Sequence, residues 1–125
     1  MSRVLLDTHA FMWWVDMNSH VKPEWLELVL DPENVVYVSA VTAWEIEIKK
    51  RSGKLRFAHD VAEVASQLGF ERLAITMQHA ASAGSLDWDH NDPFDRMLVA
   101  QARDNAMTLL SADRAMKSAP GVRVL

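Results

Sequence analysis

No cysteine occurs among the 125 residues, so a disulfide framework and a thiolate metal site are both excluded. No low-complexity tract or internal repeat is visible. A long apolar start is missing too: Val4, Leu5 and Leu6 are followed at once by Asp7, which suits neither a secretory leader nor a membrane span. Positive charge is in deficit, with 13 Lys and Arg against 17 Asp and Glu and a formal net charge of −4. That balance argues against non-specific nucleic-acid binding. It argues less strongly if the acids are gathered in one pocket, because two divalent cations would offset the whole excess. The expected compartment is the cytoplasm.

Half of the residues are hydrophobic and 24% are charged, a globular balance that predicts one domain spanning residues 1–125 with a single well-filled core. Short apolar, β-branched runs alternate with helical patterns. Strands are predicted at Arg3–Leu6, Val35–Val38, Arg72–Ile75, Met107–Leu110 and Val122–Leu125. Helices are predicted at Pro23–Leu30, Ala40–Arg51, Val61–Leu68, about Met77–Ala83 and Pro93–Asn105. Strands bracketed by helices imply an α/β/α sandwich around a mostly parallel sheet.

Parallel sheets of this kind keep their working residues beyond the carboxyl ends of the strands. Asp7 directly follows the strand Arg3–Leu6, and Asp113 follows Met107–Leu110 after the short step Ser111-Ala112. Either acid alone reads as the N-cap of whatever comes next; two at one sheet edge are harder to explain that way. In the stretch His90-Asn-Asp-Pro-Phe-Asp-Arg, Asp92 reads as an N-cap and Pro93 as the first helical residue. Asp95, in the first helical turn, either assists the cap or does chemistry.

A fourth acid comes from the helix Ala40–Arg51. At about 100° per residue, Val41, Trp44 and Ile48 fall into one apolar stripe, and Glu45 lies inside it, about 40° from Val41. Glu47 falls outside and can pair with Lys50 or Arg51 in solvent. A carboxylate on a core-facing stripe needs a counter-charge or a metal; a pair with Lys49, four residues on, is the alternative to ligation. Lys49, Lys50, Arg51, Lys54 and Arg56 form a basic run, either a solvated helix end or a phosphate-binding surface.

Asp7, Glu45, Asp95 and Asp113, brought together without a cation, would repel one another. All-oxygen ligation points to Mg²⁺ or Mn²⁺, and carboxylate-held magnesium acts chiefly on phosphate esters. None of the five histidines shows zinc-type spacing, and His90 reads as an ordinary loop residue or a substrate contact. Trp13, Trp14, Trp25 and Trp88 read first as core packing and otherwise as interface residues.

The blocks Leu5-Leu-Asp-Thr-His-Ala-Phe, Ser39-Ala-Val-Thr-Ala-Trp-Glu-Ile, Asp92-Pro-Phe-Asp-Arg-Met-Leu-Val-Ala-Gln-Ala and Leu109-Leu-Ser-Ala-Asp, in this order, resemble the PIN-domain ribonucleases, in particular VapC-type toxins of bacterial toxin–antitoxin modules. The resemblance runs from one terminus to the other. It implies a Mg²⁺- or Mn²⁺-dependent endoribonuclease with Asp7, Glu45, Asp95 and Asp113 as catalytic metal ligands and Asp92, Thr8 and Ser111 in support. It also implies RNA as substrate, an antitoxin partner whose arginine can enter the acidic cleft, and a homodimer. Cleavage would leave 5′-phosphate and 3′-hydroxyl ends. Lys49, Lys50, Arg51, Lys54, Arg96 and Arg114 are then candidates for gripping the RNA backbone. Two other readings stay open: a phosphatase using Asp7 as nucleophile, and a non-catalytic module whose acidic pocket receives a partner arginine. The phosphatase reading is weakened by His9, which stands where aspartyl-phosphate hydrolases of the common type carry a second acid.

Overall fold

The computed structural model describes all 125 residues. Four strands form one sheet in the order β3-β2-β1-β4, all parallel: β1 (Arg3–Leu6), β2 (Val35–Ser39), β3 (Glu71–Leu73) and β4 (Thr108–Leu110). Helices α1 (Thr8–Val15) and α2 (Pro23–Leu30) join β1 to β2; α3 (Ala40–Arg51) and α4 (Val61–Gln67) join β2 to β3; α5 (Met77–Ser85) and α6 (Pro93–Asp104) join β3 to β4. A 3-10 turn, Arg114–Ser118, follows β4. The α/β/α architecture expected of the sequence is the one observed.

Alternation along β1 divides the core in two. Val4 and Leu6 face one side, with Phe11, Trp25, Ile46 and Val61 from α1 to α4. Leu5 faces the other, with Leu98, Val99 and Ala102 of α6 and Met116 of the 3-10 turn. Burial on both faces is why Val4–Leu6 of β1 is a continuous apolar run. No helix is long and apolar enough to cross a membrane.

The differences from the expected elements have local causes. Helix α1 was absent from the predicted set because its apolar residues, Phe11 to Val15, run without a break and give no helical period; Asp7 starts it by accepting the Ala10 N–H. The predicted terminal strand Val122–Leu125 makes only a single parallel bridge, Leu109 to Val124, although Leu109 N donates to Arg123 O and Ser111 N to Leu125 O. β3 begins one residue earlier than predicted and stops at Leu73.

Strand order fixes where a site can lie. From β1 the chain steps outward to β2 and β3, then returns to place β4 on the other flank of β1. The connections leaving β1 and β4 therefore diverge at their carboxyl ends, opening a crevice there.

Candidate active site

Asp7 and Asp113 both line that crevice, together with His9, Trp13 and Ala112. Each is the N-cap it was expected to be: Asp7 Oδ1 accepts Ala10 N–H at 2.8 Å, and Asp113 Oδ1 accepts Ala115 N–H at 3.0 Å. Capping uses one carboxylate oxygen in each case. Asp7 is only 6% exposed. Burial pushes its carboxyl up to about 6, against the Ser111 hydroxyl, the Ala10 N–H and the charge of His9; the negative charge of Asp95 adds to the rise. Asp113 is exposed.

The acids of α6 divide their work. Asp92 Oδ1 accepts the N–H groups of Phe94 at 2.9 Å and Asp95 at 3.1 Å, capping the helix. Asp95 does not reach back to the cap; its Oδ2 meets His90 Nε2 at 2.7 Å. Burial holds the Asp95 carboxyl above the usual carboxylate range, opposed by the His90 hydrogen bond and raised further by the charges of Asp92 and Glu45.

Glu45 is 4% exposed, yet the stripe that predicted its burial is incorrect. Trp44 is 57% exposed and Ile48 41% exposed. The buried residues of α3 are Val41, Thr42, Glu45 and Ile46, an arc of about 140° that runs the other way from Val41. Apolarity misplaced the face because its inward side carries a threonine and a glutamate. Thr8 Oγ1 donates to Glu45 Oε1 at 2.6 Å and lies 3.3 Å from Thr42 Oγ1. Lys49 Nζ donates to Glu45 Oε2. Ligation and ion pairing had both been open for Glu45, and the pair with Lys49 is made.

That pair changes the reading of Lys49, whose first role is internal. The hydrogen bond to Glu45 raises its pKa above the usual lysine value against the cost of burial, and the charges of Glu45, Asp92 and Asp95 add to the rise. Ser111 stands between two acids, its Oγ accepting Asp113 N–H at 3.1 Å while its hydroxyl lowers Asp7. Of the remaining cations, Lys50 pairs with Glu47 at 3.3 Å, while Arg51, Lys54, Arg56 and Arg114 are exposed. Arg96 differs from these. Its guanidinium donates to five backbone carbonyls, those of Ala83, Gly84, Leu86, Trp88 and His90.

No group of three or more His, Asp or Glu side chains is close enough to hold an ion as the acids stand. The contacts connect them in pairs instead: Asp7 with Asp113 along the crevice, Asp7 with Asp95 and Asp95 with Glu45 through charge. Sequence reasoning missed the His90–Asp95 contact, which crosses a proline-initiated helix start and has no periodic signal.

A family model described as PIN domain matches residues 4–122. Ribonuclease VapC22 of Mycobacterium tuberculosis is 26% identical over 125 residues, covering 94% of this chain and 92% of that protein. The DNA-bound VapBC structure from Salmonella typhimurium superposes with a TM-score of 0.71 at 19% identity, covering 100% of this chain and 98% of that one. A toxin–antitoxin complex from Klebsiella pneumoniae gives 0.68 at 17% identity, with 98% and 95% covered.

Proposed function

Because this chain belongs to the PIN-domain family, we propose that it is a divalent-cation-dependent endoribonuclease, the toxin of a toxin–antitoxin pair, with Asp7, Glu45, Asp95 and Asp113 as its working carboxylates. The observation that carries the reading is that Asp7 and Asp113 share the crevice beside β1 and β4, with Asp95 acting on Asp7 and Glu45 on Asp95 through charge. The ribonuclease name of the mycobacterial relative supports the activity, and the toxin–antitoxin complexes of the same fold support a protein partner. RNA is the substrate, an antitoxin segment bearing arginine is the partner suited to the acids, and the working form is a homodimer in the cytoplasm.

The donor set fits a hard cation. It is all oxygen, and two of its carboxyls are held high by burial and by neighbouring negative charge, as happens where acids lack a positive partner. Lys49 supplies one positive charge among them. Asp7, Asp95, Asp113 and Glu45 would hold Mg²⁺ or Mn²⁺. When bound, such an ion supplies positive charge against a phosphodiester and makes a coordinated water acidic near neutral pH.

The chain's own residues perform the positioning. Thr8 orients Glu45, His90 orients Asp95, and the Ser111 hydroxyl holds the strand-end turn that presents Asp113 beside Asp7. Exposed Lys54, Arg51, Arg56 and Arg114 are available to the RNA backbone. Charge reversal at Lys54 and Arg56 together is expected to weaken RNA binding and to flatten its salt dependence by about two phosphate contacts. Unchanged slopes in a titration against salt would remove those residues from the interface.

The direct test incubates purified protein with total bacterial RNA in Mg²⁺ or Mn²⁺, with EDTA and Asp95→Asn as controls, and maps the product ends. Discrete cuts with 5′-phosphate and 3′-hydroxyl ends, present only with the cation and only with Asp95 intact, are expected. Ends bearing a 2′,3′-cyclic phosphate would exclude the proposed hydrolysis.

A further inference from the structure

The stretch between α5 and α6 contains neither helix nor strand, and its one internal backbone bond joins Trp88 N to Leu86 O at 3.0 Å. A segment with so little bonding of its own must be held from outside. Arg96 does this. Its Nε donates to Ala83 O at 2.9 Å, Nη1 to Trp88 O at 2.8 Å and His90 O at 3.1 Å, and Nη2 to Leu86 O at 2.9 Å and Gly84 O at 3.5 Å. No ion pair involves this guanidinium. Its charge is instead balanced by carbonyl dipoles, two of them the unpaired carbonyls at the negative end of α5.

The last of those carbonyls belongs to His90, whose ring meets Asp95. Asp95 and Arg96 are consecutive, so about 100° of helix rotation separates them: one carboxylate faces the His90 ring while its neighbour's guanidinium grips the loop. The loop then returns an imidazole to the carboxylate. A second tether closes the arrangement from the other side, Trp88 Nε1 donating to Ser118 Oγ at 3.1 Å in the turn that follows Asp113, with the Trp88 and His90 rings 4.7 Å apart.

The geometry points to Arg96 as a positioning residue that fixes the segment Leu86 to His90 so that the His90 imidazole holds the Asp95 carboxylate in place for catalysis. This rests on the nuclease reading above. A fork of planar donors reaching five carbonyls, from the end of α5 through the loop beyond it, is something a lysine, with its single ammonium, cannot reproduce. Arg96 acts through His90, and that dependence separates positioning from general scaffolding.

The test is a double-mutant cycle with Arg96→Lys and His90→Ala, read as kcat and KM for RNA cleavage. Arg96→Lys alone is expected to lower kcat roughly tenfold or more, as partners of metal ligands do, with KM little moved. In the His90→Ala background the same change is expected to cost about twofold or less. Equal losses in both backgrounds, or no loss in the first, would overturn the assignment. Nitrogen NMR of the imidazoles supplies a readout independent of activity: Arg96→Lys should shift or broaden the His90 signals while those of His9, His20 and His59 hold. Should wild type cleave no RNA, the nuclease reading fails, and the His90 spectrum still decides the positioning claim, an unchanged signal overturning it. Should Arg96→Lys not fold, Ser118→Ala loosens the other tether and is read on the same His90 signal, with the same two outcomes.

Discussion

Asp7→Asn is expected to make the protein more stable at neutral pH while removing its activity. Asp7 is buried, and its folded carboxyl titrates at about 6 against an ordinary value of 3.8. The folded chain therefore holds the proton more tightly than the unfolded chain. Below pH 3.8 both states carry it and burial costs nothing; as pH rises through the folded value of about 6, the folded state acquires a buried charge and loses stability. Above that window the cost is on the order of 1–3 kcal/mol. Asparagine keeps the oxygen that accepts Ala10 N–H and carries no charge, so the penalty disappears. Melting in EDTA at pH 7.5 should show a gain of roughly 3–10 °C for the variant, shrinking towards zero near pH 4. Mn²⁺ should stabilise wild type and leave Asp7→Asn unmoved, because binding to the folded state is what cations add. Cleavage should fall about a thousandfold or more, ~4 kcal/mol of transition-state stabilisation. A variant with the same melting difference at both pH values would show that Asp7 carries no buried charge.

Strand runs, caps and sheet class were legible because each depends on short-range patterns. Val4–Leu6 and Val35–Val38 are β-branched or apolar throughout, and Asp92-Pro93 starts a helix by local chemistry alone. Asp7 and Asp113 followed from one rule about strand ends, and they share a crevice there. The partners of the acids were not legible. Glu45 was found buried by an argument from the wrong stripe, since Thr42 and Glu45 themselves belong to the inward face and no hydropathy pattern would place them there. His90 and Asp95 are five residues apart across a loop and a helix start, so neither a period of 3.6 nor one of 2 relates them. Arg96 appeared as a free cation because a sequence does not display where backbone carbonyls point. Its five acceptors come from the end of one helix and the loop beyond it, an arrangement that exists only after the chain has folded.

Lys49→Met is expected to destabilise the protein in EDTA and to tighten its hold on Mn²⁺. The lysine ammonium is paired with Glu45 and stands in the field of Asp92 and Asp95. Methionine preserves most of the stem and removes the charge, leaving Glu45 buried with only the Thr8 hydroxyl against its carboxylate. Removing one partner of a fully buried pair costs about 3–5 kcal/mol; solvent reaches a third of the Lys49 side chain, so roughly 1–3 kcal/mol is the appropriate expectation here. A divalent cation then meets one positive charge fewer, and Glu45 is released from competition with an ammonium. Calorimetric titration should therefore show higher Mn²⁺ affinity than wild type, and saturating Mn²⁺ should restore most of the lost melting temperature. The companion variant Glu45→Gln with Lys49→Met removes the pair as a unit, and its stability in EDTA should return close to wild type, as replacement of whole pairs often does. It should also lose the gain in Mn²⁺ affinity, because the carboxylate that made the gain is gone. If Lys49→Met is as stable as wild type without the cation, or binds Mn²⁺ no better, Lys49 is not the internal counter-ion of these acids and the charge balance of the crevice must be met elsewhere.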